Sequence, residues 1–174
     1  MLTLIHASEN NFEKIAAFYR YVIDNTPTMP QYCRWIYGLH PSDELLHRYI
    51  GEGAMFYTER DGEMLSVLVI VPHQDEDYHE VQWGADLSDD EVVTLHIFGV
   101  DPAHRGQGLA RQTMAAVEEY ARRIGKKAVR LDTLESNLAS QSLYTSIGYV
   151  RRDVKRWYAR NTGWDNFILY EKLL

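Results

Sequence analysis

The sequence predicts one three-layer α/β (α+β) domain, a mixed and mostly antiparallel sheet with helices on both faces. Three observations carry this. Strand-like and helix-like periodicities follow one another as β-α-α-β-β-β-α-β-α-β-β, an order that layers helices on a sheet. Asp61-Gly62 lies between two apolar runs and marks a tight hairpin, hence an antiparallel pair. The stretch Val92–Gln112, VVTLHIFGVDPAHRGQGLARQ, reads as a strand, a turn and the start of a helix. A chain of 174 residues suits a single core, so the domain is taken as 1–174.

The elements follow in order. Leu2–His6 is a short strand, and Ser8 can cap a helix over Glu9–Asp24 whose apolar stripe is Phe12, Ile15, Ala16, Tyr19, Val22 and Ile23. Asn25–Tyr37 is an irregular connection with two prolines. Ser42 caps a second helix through Tyr49, which Gly51 and Gly53 break. Ala54–Glu59 and Glu63–Val71 are the hairpin strands. Pro72–Asp90 is a polar, acidic loop with room for a strand extension at Val81–Trp83. After the central strand, Leu109, Thr113, Val117, Tyr120 and Ile124 share one helical face, and Gly125 ends that helix. Lys127–Leu134 alternates as a strand. Ser136 or Asn137 caps a helix that Gly148 closes. Tyr149–Tyr158 and Phe167–Leu173 are the last strands, joined by Ala159–Asn166.

The chemistry points to the turn. Asp101-Pro102 stops the central strand, because proline lacks the N–H of a ladder. The helix that follows begins with N–H groups that have no internal partner and sit at its positive end. Gly106 and Gly108 let a backbone approach a bulky anion, and Arg105 adds a charge at the mouth. This is a place for a phosphate, most naturally a pyrophosphate. It is not a P-loop, which needs Gly-Lys-Ser or Gly-Lys-Thr, nor a dinucleotide turn, which needs GxGxxG after a first strand.

Arg105-x-x-Gly108-x-Ala110 instead matches the acyl-CoA signature [Q/R]-x-x-G-x-[G/A], and the chain resembles the Gcn5-related N-acetyltransferase (GNAT) superfamily. The element order is also that of the family. A second stretch, LDTLESNLASQSLYTSIGYV, places Asn137 and Tyr144 seven residues apart and ends like the family's [LFY]Y-x-x-x-G-[FY]. Two helical turns put both side chains on one face. The resemblance implies splayed central strands, acetyl-CoA (coenzyme A) held by Arg105, Gly106, Gln107, Gly108, Leu109 and Ala110, and a pantetheine arm paired with Phe98 and Val100. It implies that Asn137 contacts that arm and that Tyr144 stands near its sulfur, both as ligand and as the acid for the departing thiolate. Read from the residues alone, Asn137 is also a helix cap and Tyr144 a core aromatic. Gly99 is the expected site of a bulge.

The implied activity is acyl-CoA-dependent N-acetyltransfer to a primary amine of a small molecule or peptide, direct and through a tetrahedral intermediate. The alternative is a GNAT-fold sensor that binds acyl-CoA without turnover. An amine with a pKa near 10.4 costs roughly 4–5 kcal/mol to deprotonate at pH 7, so a base is useful. His96 is the candidate, four residues before Val100, with Thr94, His96 and Phe98 expected on one face. A strand histidine with no catalytic task is the plain alternative. Cys33, the lone cysteine, has nothing beside it to activate a nucleophile and cannot form an internal disulfide.

Composition excludes other classes. The formal net charge of −7 opposes generic nucleic-acid binding, and no apolar run approaches the roughly 18–20 residues of a membrane span. The start MLTLIHASENN lacks the pattern of a signal peptide, so a cytoplasmic location is expected. Positive charge gathers at His104, Arg105, Arg111, Arg122, Arg123, Lys126 and Lys127, around the turn and its helix. Acids concentrate in Asp75–Glu80 and Asp86–Glu91. With Met29, Tyr32, Trp35, Tyr37, Trp157, Tyr158 and Trp164 they could receive a cation if that loop folds over the site. His73 and His79 lack metal-ligand spacing, so no metal is expected. The resemblance admits a homodimer.

Overall fold

A computed structural model describes residues 2–174. Seven strands form one sheet in the order β1-β2-β3-β4-β5-β7-β6. They are β1 (Ile5–His6), β2 (Met55–Arg60), β3 (Glu63–Val71), β4 (Val92–Val100), β5 (Ala128–Leu134), β6 (Val150–Ala159) and β7 (Gly163–Leu173). The helices are α1 (Phe12–Asp24), α2 (Asp43–Gly51), α3 (Leu109–Arg123) and α4 (Leu138–Ser146). Among the described residues only β4 and β5 pair in parallel, joined by the crossover through α3. Ile15, Ala16, Tyr19, Leu46 and Ile50 pack on one face against Met55, Val67 and Val69. Met114, Val117, Ala121 and Tyr144 pack on the other against Leu68, Val93, Leu95 and Val129. The three expected layers are therefore present.

Local signals land where their chemistry requires. Asp61 and Gly62 both take left-handed φ, 53° and 83°, as a two-residue hairpin of the primed kind needs. Ser42 accepts from Leu45 N at 3.2 Å and caps α2. Gly125 and Gly148 close their helices at φ 77° and 90°. Four boundaries differ from expectation. The first strand has only Ile5 and His6, and Ser8 caps a 3₁₀ turn, Glu9–Asn11, that leads into α1. Val81–Trp83 is not a strand: Tyr78, Val81 and Trp83 instead pack on Leu169. The last connection is shorter than Ala159–Asn166, because Tyr158 pairs with Trp164 and Ala159 with Gly163.

The sheet parts in the middle. β4 and β5 pair from Val92↔Ala128 to Leu95↔Leu131 and no further, although β4 runs on to Val100 and β5 to Leu134. A bulge accompanies the parting, but not at Gly99. The β3–β4 register slips between Val69↔His96 and Val67↔Gly99, so Ile97 and Phe98 together oppose one residue of β3. Ile97 holds φ at 39°, a costly conformation for a β-branched residue. Its carbonyl is held by the buried Tyr19 hydroxyl of α1, which donates at 2.7 Å. The bulge reverses the alternation: Ile97 packs with Tyr19 and Val67, and Phe98 packs with Leu95. Phe98 thus lies on the face opposite His96, not beside it. Tyr19→Phe leaves that buried carbonyl without a donor and should cost about 1–3 kcal/mol, read as a lower urea midpoint at unchanged slope.

Candidate active site

The turn before α3 is built by short-range bonds. The Asp101 carboxylate accepts from Ala103 N at 2.8 Å and pairs with His104 Nδ1 at 2.9 Å, which winds Pro102–His104 into a 3₁₀ turn. Gly106 and Gly108 follow at φ 77° and 73°, a conformation that side chains disfavour. A Cβ on Gly106 would meet nothing within 4 Å, and one on Gly108 only Gln112 Nε2 at 4.0 Å. Gly108 is the N-cap of α3 and provides no side-chain cap. The first N–H groups of a 15-residue helix therefore face an open hollow. Arg105 reaches across to the connection just after α1 and donates to Thr26 Oγ1 at 2.6 Å.

This hollow is one end of a cleft of about 630 Å³. Arg105, Gly106, Gly108, Leu109 and Ala110 line it, and so do Phe98 and Val100 of the parted strand. Gln107 is exposed and is not part of the wall; its carbonyl accepts from Gln112 Nε2. His104 and Arg111 belong to the wall, but Arg122 and Arg123 close the far end of α3, roughly 20 Å away along the helix. Lys127 pairs with Glu91, and Lys126 donates to the carbonyls of Pro72 and Asp90. The positive field at the turn is thus narrower than the sequence suggests.

A second, smaller cavity of about 260 Å³ lies beyond the parting. The two share Cys33, Trp35, Phe98, Asn137 and Ser140, so they meet where β4 leaves β5. Trp35, Tyr49 and Phe167 supply aromatic walls, and His96 and Asp132 supply charge. His96 Nε2 bonds Asp75 Oδ2 at 2.6 Å. Burial pulls the imidazolium down, yet the Asp75 bond and charge, helped by Asp132, hold its pKa above the usual 6.5. Asp75 feels burial in the opposite direction, and the His96 bond and charge win, holding its pKa below the usual 3.8. Asp132 is enclosed by protein and opens on the cavity. Burial raises its pKa, against the opposing pull of His96 and of Tyr78, whose hydroxyl donates to it at 2.7 Å.

Asn137 and Tyr144 both line this inner cavity. Asn137 caps α4 by accepting from Ser140 N at 3.1 Å, while its Nδ2 donates to Cys33 Sγ at 3.2 Å. Both ends of the amide are engaged within the protein. Burial, then the nearby Asp132 and Cys33, push the Tyr144 phenol far above its usual 10, so it stays protonated across the working range. Burial also pushes the Cys33 thiol up to about 11, which suppresses the thiolate.

A model described as the Acetyltransferase (GNAT) family matches residues 10–149. The chain belongs to this family. N-alpha-acetyltransferase RimI of Mycobacterium tuberculosis is 33% identical over 75 residues, 43% of this chain and 46% of RimI. This chain spans less than half the length of the first curated relatives it matches. A GNAT-family acetyltransferase from Streptococcus agalactiae superposes with a TM-score of 0.76 at 18% identity, covering 99% of this chain and 95% of that one. yncA from Salmonella typhimurium, solved with its cofactor acetyl-CoA, superposes at 0.66 and 18% identity, over 99% of this chain and 94% of its own. At such identities the likeness concerns the fold.

The GNAT frame brings together most of the residues singled out from sequence. Phe98, Val100, Arg105, Gly106, Gly108, Leu109 and Ala110 share one cleft, and His96 and Tyr144 share the next, with Asn137 between. Met29 and the aromatics divide: Met29, Tyr32 and Trp35 line the cleft, while Trp157, Tyr158 and Trp164 border a separate outer groove with Glu76, Asp77 and Glu80. Sequence reasoning missed Asp132, and it named Asp75 only within an acidic run. The available signal for Asp132 was a carboxylate inside the otherwise buried strand KAVRLDTL, beyond the point where β5 loses its parallel partner.

Proposed function

We propose that this chain transfers an acetyl group from acetyl-CoA to the amine of a small cationic acceptor or of a peptide end. The observation that carries the reading is the parting of β4 from β5, with a phosphate-receiving turn at one mouth and an anionic cavity at the other. The residues fit the coenzyme. Uncapped N–H groups and Arg105 suit a diphosphate, two glycines leave it room, and Phe98 and Val100 offer backbone groups to an amide-bearing arm. Bound there, the coenzyme supplies an activated acetyl thioester.

The remaining work falls to the protein. Asp132 and the aromatic walls of Trp35, Tyr49 and Phe167 suit an ammonium group and its carbon body. His96, with Nε2 on Asp75, keeps Nδ1 to take a proton from that ammonium. Strand N–H groups left without a β5 partner where the sheet parts would steady charge on the thioester oxygen. Tyr144, its phenol held far above the usual 10, would donate a hydrogen bond to the departing thiolate, whose pKa is near the roughly 8.5 of a cysteine. Outright transfer of the phenolic proton would run uphill, so the work assigned to Tyr144 is to steady that charge. Tyr144→Phe should therefore lower kcat by about 10²–10³ with little change in KM. An unchanged kcat, with chemistry limiting, would remove it from that role.

The deciding experiment is release of CoA thiol with a panel of amines, amino acids and short peptides. Turnover with any cationic member supports the reading. Binding of acetyl-CoA with no release across the panel would leave the sensor alternative in its place.

A further inference from the structure

On the α1/α2 face, among the described residues, no α-helix covers the outer half of the sheet. Residues 72–91 cover it instead: Tyr78, Val81 and Trp83 pack on Leu169 of β7. This segment brings Asp75 to His96 and Tyr78 to Asp132. A charged clasp on the sheet below holds it. Arg130 of β5 is 1% exposed. It donates through Nη1 to Gln74 Oε1, next to Asp75, and through Nη2 to the Ala85 carbonyl at 3.0 Å. Its Nε and Nη2 reach Glu171 Oε1 at 3.1 and 2.9 Å. The other Glu171 oxygen accepts from Gly84 N at 3.0 Å and Arg152 Nε at 2.9 Å. One guanidinium therefore grips both sides of the excursion, and one carboxylate grips the guanidinium.

Stability alone is a poor reason for this arrangement. Desolvation offsets most of the attraction in a buried ion pair, and apolar replacements are often as stable. A planar fork of five N–H donors does something a leucine cannot, which is to set several acceptors at fixed angles.

We infer that Arg130 and Glu171 are positioning residues for acceptor chemistry, holding the 72–91 segment so that Asp75 stays on His96 and Tyr78 stays on Asp132. The effect on turnover rests on the acyl-transfer reading above; the coupling to His96 does not. His96 is faced by Asp75 and Tyr78 from the segment, Asp132 from β5, Arg48 and Tyr49 from α2, and His40 from the connection before α2. Of these, only Asp75 and Tyr78 ride on the clasped segment.

The test uses the whole chain as Arg130→Lys, Asp75→Asn and the double variant. Two quantities are read: the His96 imidazole titration by NMR, and CoA release against pH. In Arg130→Lys the His96 midpoint should fall toward that of Asp75→Asn, and the double variant should move it no further. kcat/KM should drop on the order of 10²-fold, with its acidic limb displaced the same way. A wild-type His96 midpoint in well-folded Arg130→Lys, with loss only of melting temperature, overturns the inference. If Arg130→Lys does not fold, Gln74→Met removes the acceptor beside Asp75, keeps the buried pair, and is judged by the same two outcomes. If no form releases CoA with any amine, the acyl-transfer reading falls and the NMR midpoint still decides this one.

Discussion

Replacing Gly108 by glutamate is expected to abolish acetyl-CoA binding while the fold survives. Gly108 holds φ at 73° and caps α3 with nothing but backbone. A side chain there costs on the order of 1–3 kcal/mol in strain, within the reserve of an ordinary domain. The new Cβ meets only the end of Gln112 at 4.0 Å, so nothing in the core is displaced. The carboxylate, however, projects from the helix N-terminus into the hollow where a diphosphate would sit, and brings a like charge to it. Wild type at a hundredfold excess of coenzyme over Kd should gain about 2.7 kcal/mol of stability. The variant should gain about 0.4 kcal/mol or less, and calorimetry should find its Kd raised by two orders of magnitude or more. Equal thermal shifts in the two proteins would remove the turn from cofactor binding.

The second large effect concerns protons. His96→Gln should lower kcat/KM by about 10²–10⁴, and Asp75→Asn should move the pH dependence. The signs follow from the pair. With His96 as the proton acceptor, as proposed, the free imidazole is the active form, and its pKa is held above 6.5. The wild-type rate should therefore rise with pH through a midpoint above 6.5. Asp75→Asn removes the main cause of that elevation and leaves burial, which lowers the pKa, so the acidic limb should shift to lower pH. Stability follows the same linkage. The His96 contribution is complete below 6.5 and disappears as pH rises through the elevated folded value. The Asp75 contribution is present above 3.8 and is lost as pH falls through its depressed value. Superimposable pH–rate profiles for wild type and Asp75→Asn would dismiss the pair as the proton acceptor.

What could be read from the sequence was what short stretches of chain decide for themselves. Asp61-Gly62, Ser42, Gly125 and Gly148 act through their own φ or through a partner three residues away, and each ended up in its expected role. The glycine turn belongs to the same class. Ile97 does not. No local rule assigns a left-handed φ to isoleucine, and the hydroxyl that holds its carbonyl comes from 78 positions upstream. Placing the bulge at Gly99 followed propensity, and a distant hydrogen bond overrode it. Every facing argument past Ile97 then inverted, which is why Phe98 and His96 part company. Asp132 and Arg130 were hidden by another rule. In an alternating strand they read as solvent-side residues, yet the 72–91 segment covers that face and turns one into a cavity wall and the other into a clasp.

The parted sheet also separates two kinds of recognition. Most groups suited to the donor lie on β4 past Ile97, the turn and α3, while those suited to the acceptor come from His96 before the bulge, α2, β5, β7 and a surface excursion between β3 and β4. Under the proposed reading, residue changes along that excursion would redirect the enzyme toward a different nucleophile without eroding its grip on the coenzyme. A lineage of such chains could diversify its targets by editing one roof, with the nucleotide-facing half left as it stands.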